Sequence, residues 1–238
     1  TLVIGATVGV IGIIVGSIAL TGIGLKFSDI IISLAGGNLV IAILLVALAS
    51  LVLGMGVPVT AAYLFTAVLA VPALGEMGVM IIAAHQIVYW LSQDSNITPP
   101  VCVAAYAGAA IAGSDPWKTG WTSFKFAKLL YVMPFLFAFT PEILLKNWDV
   151  TPAEPFPFAS VALTFFAATV GTLAFSALTM GYLVRRTTII EWIFFAVATV
   201  LCYTPGLVTD STGILMVLAL IFWQKRKNRL EALAKSTA

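Results

Sequence analysis

Two apolar stretches of this chain are each interrupted near the middle by a short run that lipid cannot solvate. The first runs from Leu39 to Leu53, stops at Gly54-Met55-Gly56-Val57-Pro58, and resumes from Val59 to about Leu74. The second runs from Gly78 to Leu91, meets Ser92-Gln93-Asp94-Ser95-Asn96-Ile97-Thr98-Pro99-Pro100, and resumes from Val101 to Gly113. Each arm of the first has about 15 residues, roughly 23 Å at 1.5 Å per residue, short for a full crossing of a hydrocarbon core of about 30 Å. Irregular backbone at membrane depth survives only where protein or a wet cavity surrounds it. Two such segments in one chain suggest re-entrant hairpins or broken transmembrane helices inside a polytopic bundle.

That reading needs lipid as the solvent, and the composition supplies it. Hydrophobic residues make up 61% of the 238 and charged residues only 9%, against roughly 25% charged in soluble domains; mean hydropathy is +1.09. The net charge of +2 is small and its cations sit at segment ends, so a nucleic-acid partner has no support. Cys102 and Cys202 lie in apolar helical stretches and read as small buried hydrophobes, not as a disulfide or a metal site. Neither GxSxG nor HExxH occurs, and no Ser-Lys or Ser-His pair is well placed, so no enzyme activity is expected.

Residues from Thr1 to Gly24 read as a first span whose Gly5, Gly9, Gly12 and Gly16 are spaced to pack one face closely on protein. Lys26, Phe27 and Asp29 read as interfacial, and Gly36-Gly37-Asn38 introduces the next helix. Gly120 to Leu145 reads as a span approached through Lys118, Lys125 and Lys128 and interrupted by Pro134. After the loop carrying Pro152, Pro155 and Pro157, Phe158 to Val184 spans again as far as Arg185-Arg186. Ile189 to Trp223 is long enough for a hairpin pair turning near Pro205-Gly206 and Asp210, before the basic run from Lys225 to Arg229. The start at Thr1, with no basic leader, is expected to fall in mid-protein. If one interrupted segment crosses and the other does not, Lys118, Lys125, Lys128, Arg185, Arg186 and the C-terminus share the cytoplasmic side, with Lys26 and Lys146 external.

A broken helix offers unpaired carbonyls to cations and amides to anions. The first break presents the peptide groups of Gly54, Met55 and Gly56 with the Thr60 hydroxyl. The second presents the Ser95 and Thr98 hydroxyls and the Asn96 amide. Neutral oxygens of this kind suit sodium, whereas transition metals favour His, Cys or clustered carboxylates, and the chain has one His. The bland alternatives are a flexible kink at the first break and a proline bend at the second. Asp94, a carboxylate inside an apolar stretch, reads as a cation ligand, proton carrier or helix-terminus partner, or as a merely solvated group in an aqueous cavity. His85 reads as a hydrogen-bonded packing residue.

The runs GMGVPVTAAYLFTAVLAVPAL and SNITPPVCVAAYAGAAIAGSDPWKTGW resemble the large membrane subunit of tripartite ATP-independent periplasmic (TRAP) transporters, in particular fused permeases of the TAXI type. The resemblance covers roughly residues 1–147, the C-terminal half of that subunit, and the later spans resemble the extension of those fused permeases. It implies an all-α, elevator-type fold of the ion-transporter superfamily, with one of two inverted repeats present. Residues 1–26 would be a scaffold helix; 27–115 part of the transport domain, with the re-entrant hairpin at about 38–74 and the broken helix at about 77–113; 116–147 an arm and a transmembrane helix; and 148–238 an extension of about three short spans ending in a basic cytoplasmic tail.

By the same resemblance, Gly54, Met55, Gly56 and Thr60 with Ser95, Thr98 and Pro99 would bind sodium, and Asp94, Asn96 and Thr98 would face substrate. The function implied is sodium-coupled import of organic anions, carboxylates in particular, by a permease in a bacterial or archaeal inner membrane, with no cofactor beyond the coupling ion. Partners implied are a periplasmic solute-binding protein, the N-terminal half of the permease and a small membrane subunit. A stand-alone dicarboxylate/sodium symporter of the same superfamily and a non-transporting scaffold subunit remain alternatives.

Overall fold

The computed structural model describes residues 2–55, 57–145 and 158–236, and among them every regular element is helical. The chain divides into two compact units, residues 1–138 and 139–238. Val59–Glu76, Pro116–Phe139, Phe158–Met180 and Leu207–Leu230 are long and apolar enough to cross a membrane, and a bent pair formed by Gly9–Thr21 and Ile23–Ala35 meets the same test. The protein is therefore an all-α polytopic membrane protein.

In the first unit, α1 (Leu2–Thr21) and α2 (Ile23–Ala35) meet at 72°. Gly22, at φ +66°, makes the bend, a left-handed conformation that glycine adopts without steric cost. Lys26, Phe27 and Asp29, expected at an interface, thus belong to a second helix, and the buried Ser28 hydroxyl of that helix donates to the Leu69 carbonyl at 3.1 Å. The glycine face of α1 differs from expectation too. A Cβ added at Gly5, Gly9, Gly12 or Gly16 would meet nothing within 4 Å, because α1 turns Ile11 inward instead (4% exposed).

Helix α2 ends at Gly36 (φ +57°), whose N–H caps the carbonyls of Ile32 and Ser33. Asn38 then starts α3 (Leu39–Leu53), its side chain accepting from the N–H groups of Val40 and Ile41, as an N-cap residue does. Helix α4 (Val59–Glu76) follows the glycine-proline break and packs against α3. Helices α5 (Ile81–Leu91), α6 (Asp94–Ile97) and α7 (Val103–Ala112) divide the second interrupted segment. Asp115 caps α8 (Pro116–Phe126), accepting from the Lys118 N–H at 2.7 Å, and α9 (Leu129–Phe139) carries Pro134 within it.

The second unit packs α10 (Phe158–Met180), α11 (Ile189–Tyr203) and α12 (Leu207–Ser236) around Val170, Ala174, Phe195, Ala198, Cys202 and Val217. Glycine sets how closely these helices approach: a Cβ at Gly171 would lie 2.8 Å from the Cys202 Cβ, and one at Gly213 2.5 Å from the Cys202 Sγ. Cys202 is free and buried, as is Cys102, so both behave as the small hydrophobes expected of them.

A polar clasp closes one end of this unit. Glu191 accepts from Arg185 at 2.6 Å, from the Thr188 N–H at 3.0 Å and from the Gln224 amide at 3.2 Å. Gln224 in turn accepts from the Val184 N–H at 3.1 Å. The α10–α11 connection is thereby tied to α12, and every polar group of Glu191 and Gln224 that is removed from water finds a partner.

Two outcomes follow for thermal unfolding of the purified protein. Gly213→Ala should destabilise the second unit by about 1–3 kcal/mol through overpacking, and Cys202→Ala in the same chain should recover much of that loss by removing the sulfur. Glu191→Gln should cost about 1–3 kcal/mol by weakening the hydrogen bonds to Arg185 and leaving buried donors without an acceptor.

Candidate functional site

Peptide hydrogen bonding falters where α3 gives way to α4. The Gly54 N–H still bonds the Ser50 carbonyl at 2.8 Å, but the Met55 N–H reaches Val52 only at 3.4 Å and the Val57 N–H reaches Gly54 at 3.3 Å. Gly54 is buried, Met55 is 43% exposed, and Gly56 lies outside the described residues. Pro58 cannot donate to the turn before it, and α4 restarts with Val59.

The second break carries the concentrated polarity, and its side chains differ sharply in how they are satisfied. The buried Ser92 hydroxyl bonds back to the Val88 carbonyl at 2.7 Å, and the Gln93 amide to the Tyr89 carbonyl at 3.4 Å. The Thr98 hydroxyl shares a 2.7 Å hydrogen bond with the Tyr131 hydroxyl on α9. Asp94 is 1% exposed, and neither of its carboxyl oxygens has a hydrogen-bond partner; the Asn96 Nδ2 is likewise unpartnered. Ser95 lies on α6, its side chain outside the described residues.

The neighbours of this break fix its shape. The Asp94 carbonyl accepts the Thr98 N–H at 2.8 Å, and the Thr98 carbonyl accepts the Cys102 N–H at 3.2 Å. The Tyr106 hydroxyl donates to the Pro100 carbonyl at 2.9 Å. Gly120 brings α8 against the turn: a Cβ there would lie 2.8 Å from the Cys102 Sγ and 3.5 Å from the Pro99 Cγ.

Helix α6 packs against α3 as well as α7 and α8, so the polar break lies alongside the first arm of the hairpin. That arm contributes Ser50, which is 1% exposed with an unpartnered hydroxyl. Sequence reasoning missed it, although it is the one hydroxyl among the fifteen residues of α3. No hydrogen bond among the described residues joins Gly54, Met55 or Thr60 to Asp94, Asn96 or Thr98.

Thr60 instead faces a second polar space. With Val59, Tyr63, His85, Gln86 and Tyr89 it lines an open cavity of about 380 Å³. There the Tyr63 hydroxyl lies 2.9 Å from the His85 Nδ1, and the Tyr63 ring stands edge-on to Tyr89 at 5.8 Å. His85 is hydrogen-bonded, as expected, but it lines a cavity and is not enclosed. The signal for this cluster was available in the sequence: His85, Gln86 and Tyr89 share a helix face at i, i+1 and i+4 in an otherwise apolar arm.

Among the described residues no cluster of three or more His, Cys, Asp and Glu side chains could hold a metal ion. The chemistry on offer is that of a single buried carboxylate with hydroxyls and an amide, oxygen donors of the kind that hard cations favour. The Thr98–Tyr131 pair is open to a double-mutant cycle in thermal unfolding. Thr98→Val and Tyr131→Phe should each cost about 0.5–1.5 kcal/mol, and the two together less than their sum by the energy of the shared hydrogen bond.

No curated protein and no solved structure matches the chain. A family model described as "Tripartite ATP-independent periplasmic transporter, DctM component" matches residues 1–148, the part that contains both interrupted segments. Transport, not catalysis, is the business of that family, and the span-forming helices place its member in the inner membrane. The chain belongs to the DctM family and is a multi-pass membrane permease component of a tripartite ATP-independent periplasmic transporter.

Proposed function

We propose that the permease couples a sodium gradient to the import of organic anions, and that Asp94 is the charged ligand of the coupling ion. The observation that carries this reading is the Asp94 carboxylate, 1% exposed with both oxygens unpartnered, on a helix break inside the transporter. An ionised carboxylate held away from water without a partner costs several kcal/mol. A cation arriving at the break removes that cost, and the unpartnered Ser50 hydroxyl on the adjoining arm offers a further oxygen.

Substrate recognition fits beside the same ion. Two carboxylates repel, so an anionic substrate and Asp94 occupy neighbouring positions favourably only with a cation between them. The unpartnered Asn96 amide is a donor suited to a substrate carboxylate, with the Thr98 hydroxyl beside it. Sodium then lowers the cost of substrate entry, and substrate lowers the cost of sodium entry, which is thermodynamic coupling in its reciprocal form. The hairpin at 38–74, the broken helix at 77–113 and the bend at Gly22 suit an elevator in which residues 27–115 move against the remaining spans. Substrate would reach that site from a periplasmic solute-binding protein of the TAXI type, with a small membrane subunit completing the assembly.

In proteoliposomes containing the full-length permease, with its binding protein supplying substrate, uptake should require an inward sodium gradient. Asp94→Asn should weaken the apparent sodium affinity on the order of 100-fold or more, the loss expected when a buried charge pair is broken. Uptake that proceeds equally with choline in place of sodium, or that is driven by a proton gradient alone, would contradict sodium coupling.

A further inference from the structure

The second unit lies almost wholly beyond the residues that the family model matches, and one of its surfaces combines an apolar groove with a cationic mouth. Ile190 and Phe194 of α11 and Met216, Ala219, Leu220 and Trp223 of α12 line a groove of about 530 Å³, which Lys227 also borders. That volume falls within the roughly 300–1,000 Å³ typical of sites that enclose small ligands. Glu191 reaches the same groove, but its carboxylate is held by Arg185, the Thr188 N–H and Gln224. It therefore brings little uncompensated negative charge.

Lys227 forms no ion pair among the described residues. It stands in a run of four cations, Lys225, Arg226, Lys227 and Arg229, with Glu231 as the nearest acid in sequence. Trp192 and Trp223 lie half-exposed at the same end of the unit, and the Trp192 indole N–H is anchored on the Leu178 carbonyl at 2.9 Å. Tryptophan and lysine together mark headgroup depth in membrane proteins. The groove therefore runs from the headgroup level, where the charge is positive, toward the hydrocarbon, where its walls are apolar.

We propose that this groove binds one molecule of an anionic phospholipid, with an acyl chain between α11 and α12 and the phosphate on Lys227. Charge complementarity selects the occupant. A neutral lipid fills the apolar part equally well but gains nothing from the cation, whereas each Lys or Arg near an anionic headgroup is worth about a fivefold gain in binding. A lipid held there would brace α11 against α12 just beyond the Glu191–Gln224 clasp. The site is separate from the breaks of the first unit and does not depend on sodium coupling.

Native mass spectrometry of the purified full-length protein, with phosphatidylglycerol and phosphatidylethanolamine offered at equal concentration, tests this directly. Wild type should retain phosphatidylglycerol at least about fivefold over phosphatidylethanolamine. Lys227→Gln should abolish that preference, Ala219→Trp should reduce retention of both lipids by filling the groove, and Arg229→Gln, outside the groove, should leave a clear preference. Equal retention of the two lipids by wild type, or a preference that survives both Lys227→Gln and Ala219→Trp, overturns the proposal. So does a bound polypeptide at the groove that phosphatidylglycerol does not displace.

Discussion

A helix that breaks inside a membrane leaves peptide groups and polar side chains where lipid provides no partner. Several contacts around the second break of this permease respond to that constraint. Ser92 and Gln93 bond back onto the helix before them, Thr98 finds Tyr131 on α9, and Tyr106 reaches back to the Pro100 carbonyl. Gly120 lets α8 approach Cys102 closely at the turn. The carboxyl oxygens of Asp94 and the Asn96 Nδ2 have no such partner, and neither do the nearby Ser50 hydroxyl and Trp90 indole N–H.

Close approach governed by small residues is the second recurring device. Cys102 against Gly120 in the first unit, and Cys202 against Gly171 and Gly213 in the second, bring helix backbones together where larger side chains would hold them apart. Without a hydrophobic force between helices in lipid, van der Waals contact at such short range provides much of the association. The polar clasp on Glu191 adds direction to that packing, since it tolerates only one placement of α12 relative to the α10–α11 connection. The two kinds of contact divide the task, one setting distance and the other register.

Much of this was legible in the sequence because the signals were local. Asn38 after two glycines announced α3, the glycine-proline run announced the end of α3, and the polar run from Ser92 to Pro100 announced the interruption between α5 and α7. Pro205-Gly206 marked the turn between α11 and α12. What the sequence concealed depended on contacts distant along the chain. The bend at Gly22 looks like one more glycine in a glycine-rich helix, and nothing near Thr98 points to Tyr131 thirty-three residues later. The glycines of α1 have the spacing of a packing face, yet no described residue lies against them, because small residues permit contact without compelling it. Nothing near Thr60 in the sequence indicates that it lines a cavity with His85 and Tyr89.

Ligand-linked stability tests most directly the proposal that Asp94 binds sodium. An ion that binds only the folded protein raises the unfolding temperature in proportion to the logarithm of its concentration above its dissociation constant. Thermal unfolding of the purified full-length permease, titrated with sodium chloride against choline chloride at constant ionic strength, should show a sodium-specific rise in wild type that Asp94→Asn eliminates. An equal rise in wild type and Asp94→Asn, or no difference between sodium and choline in wild type, would contradict the account.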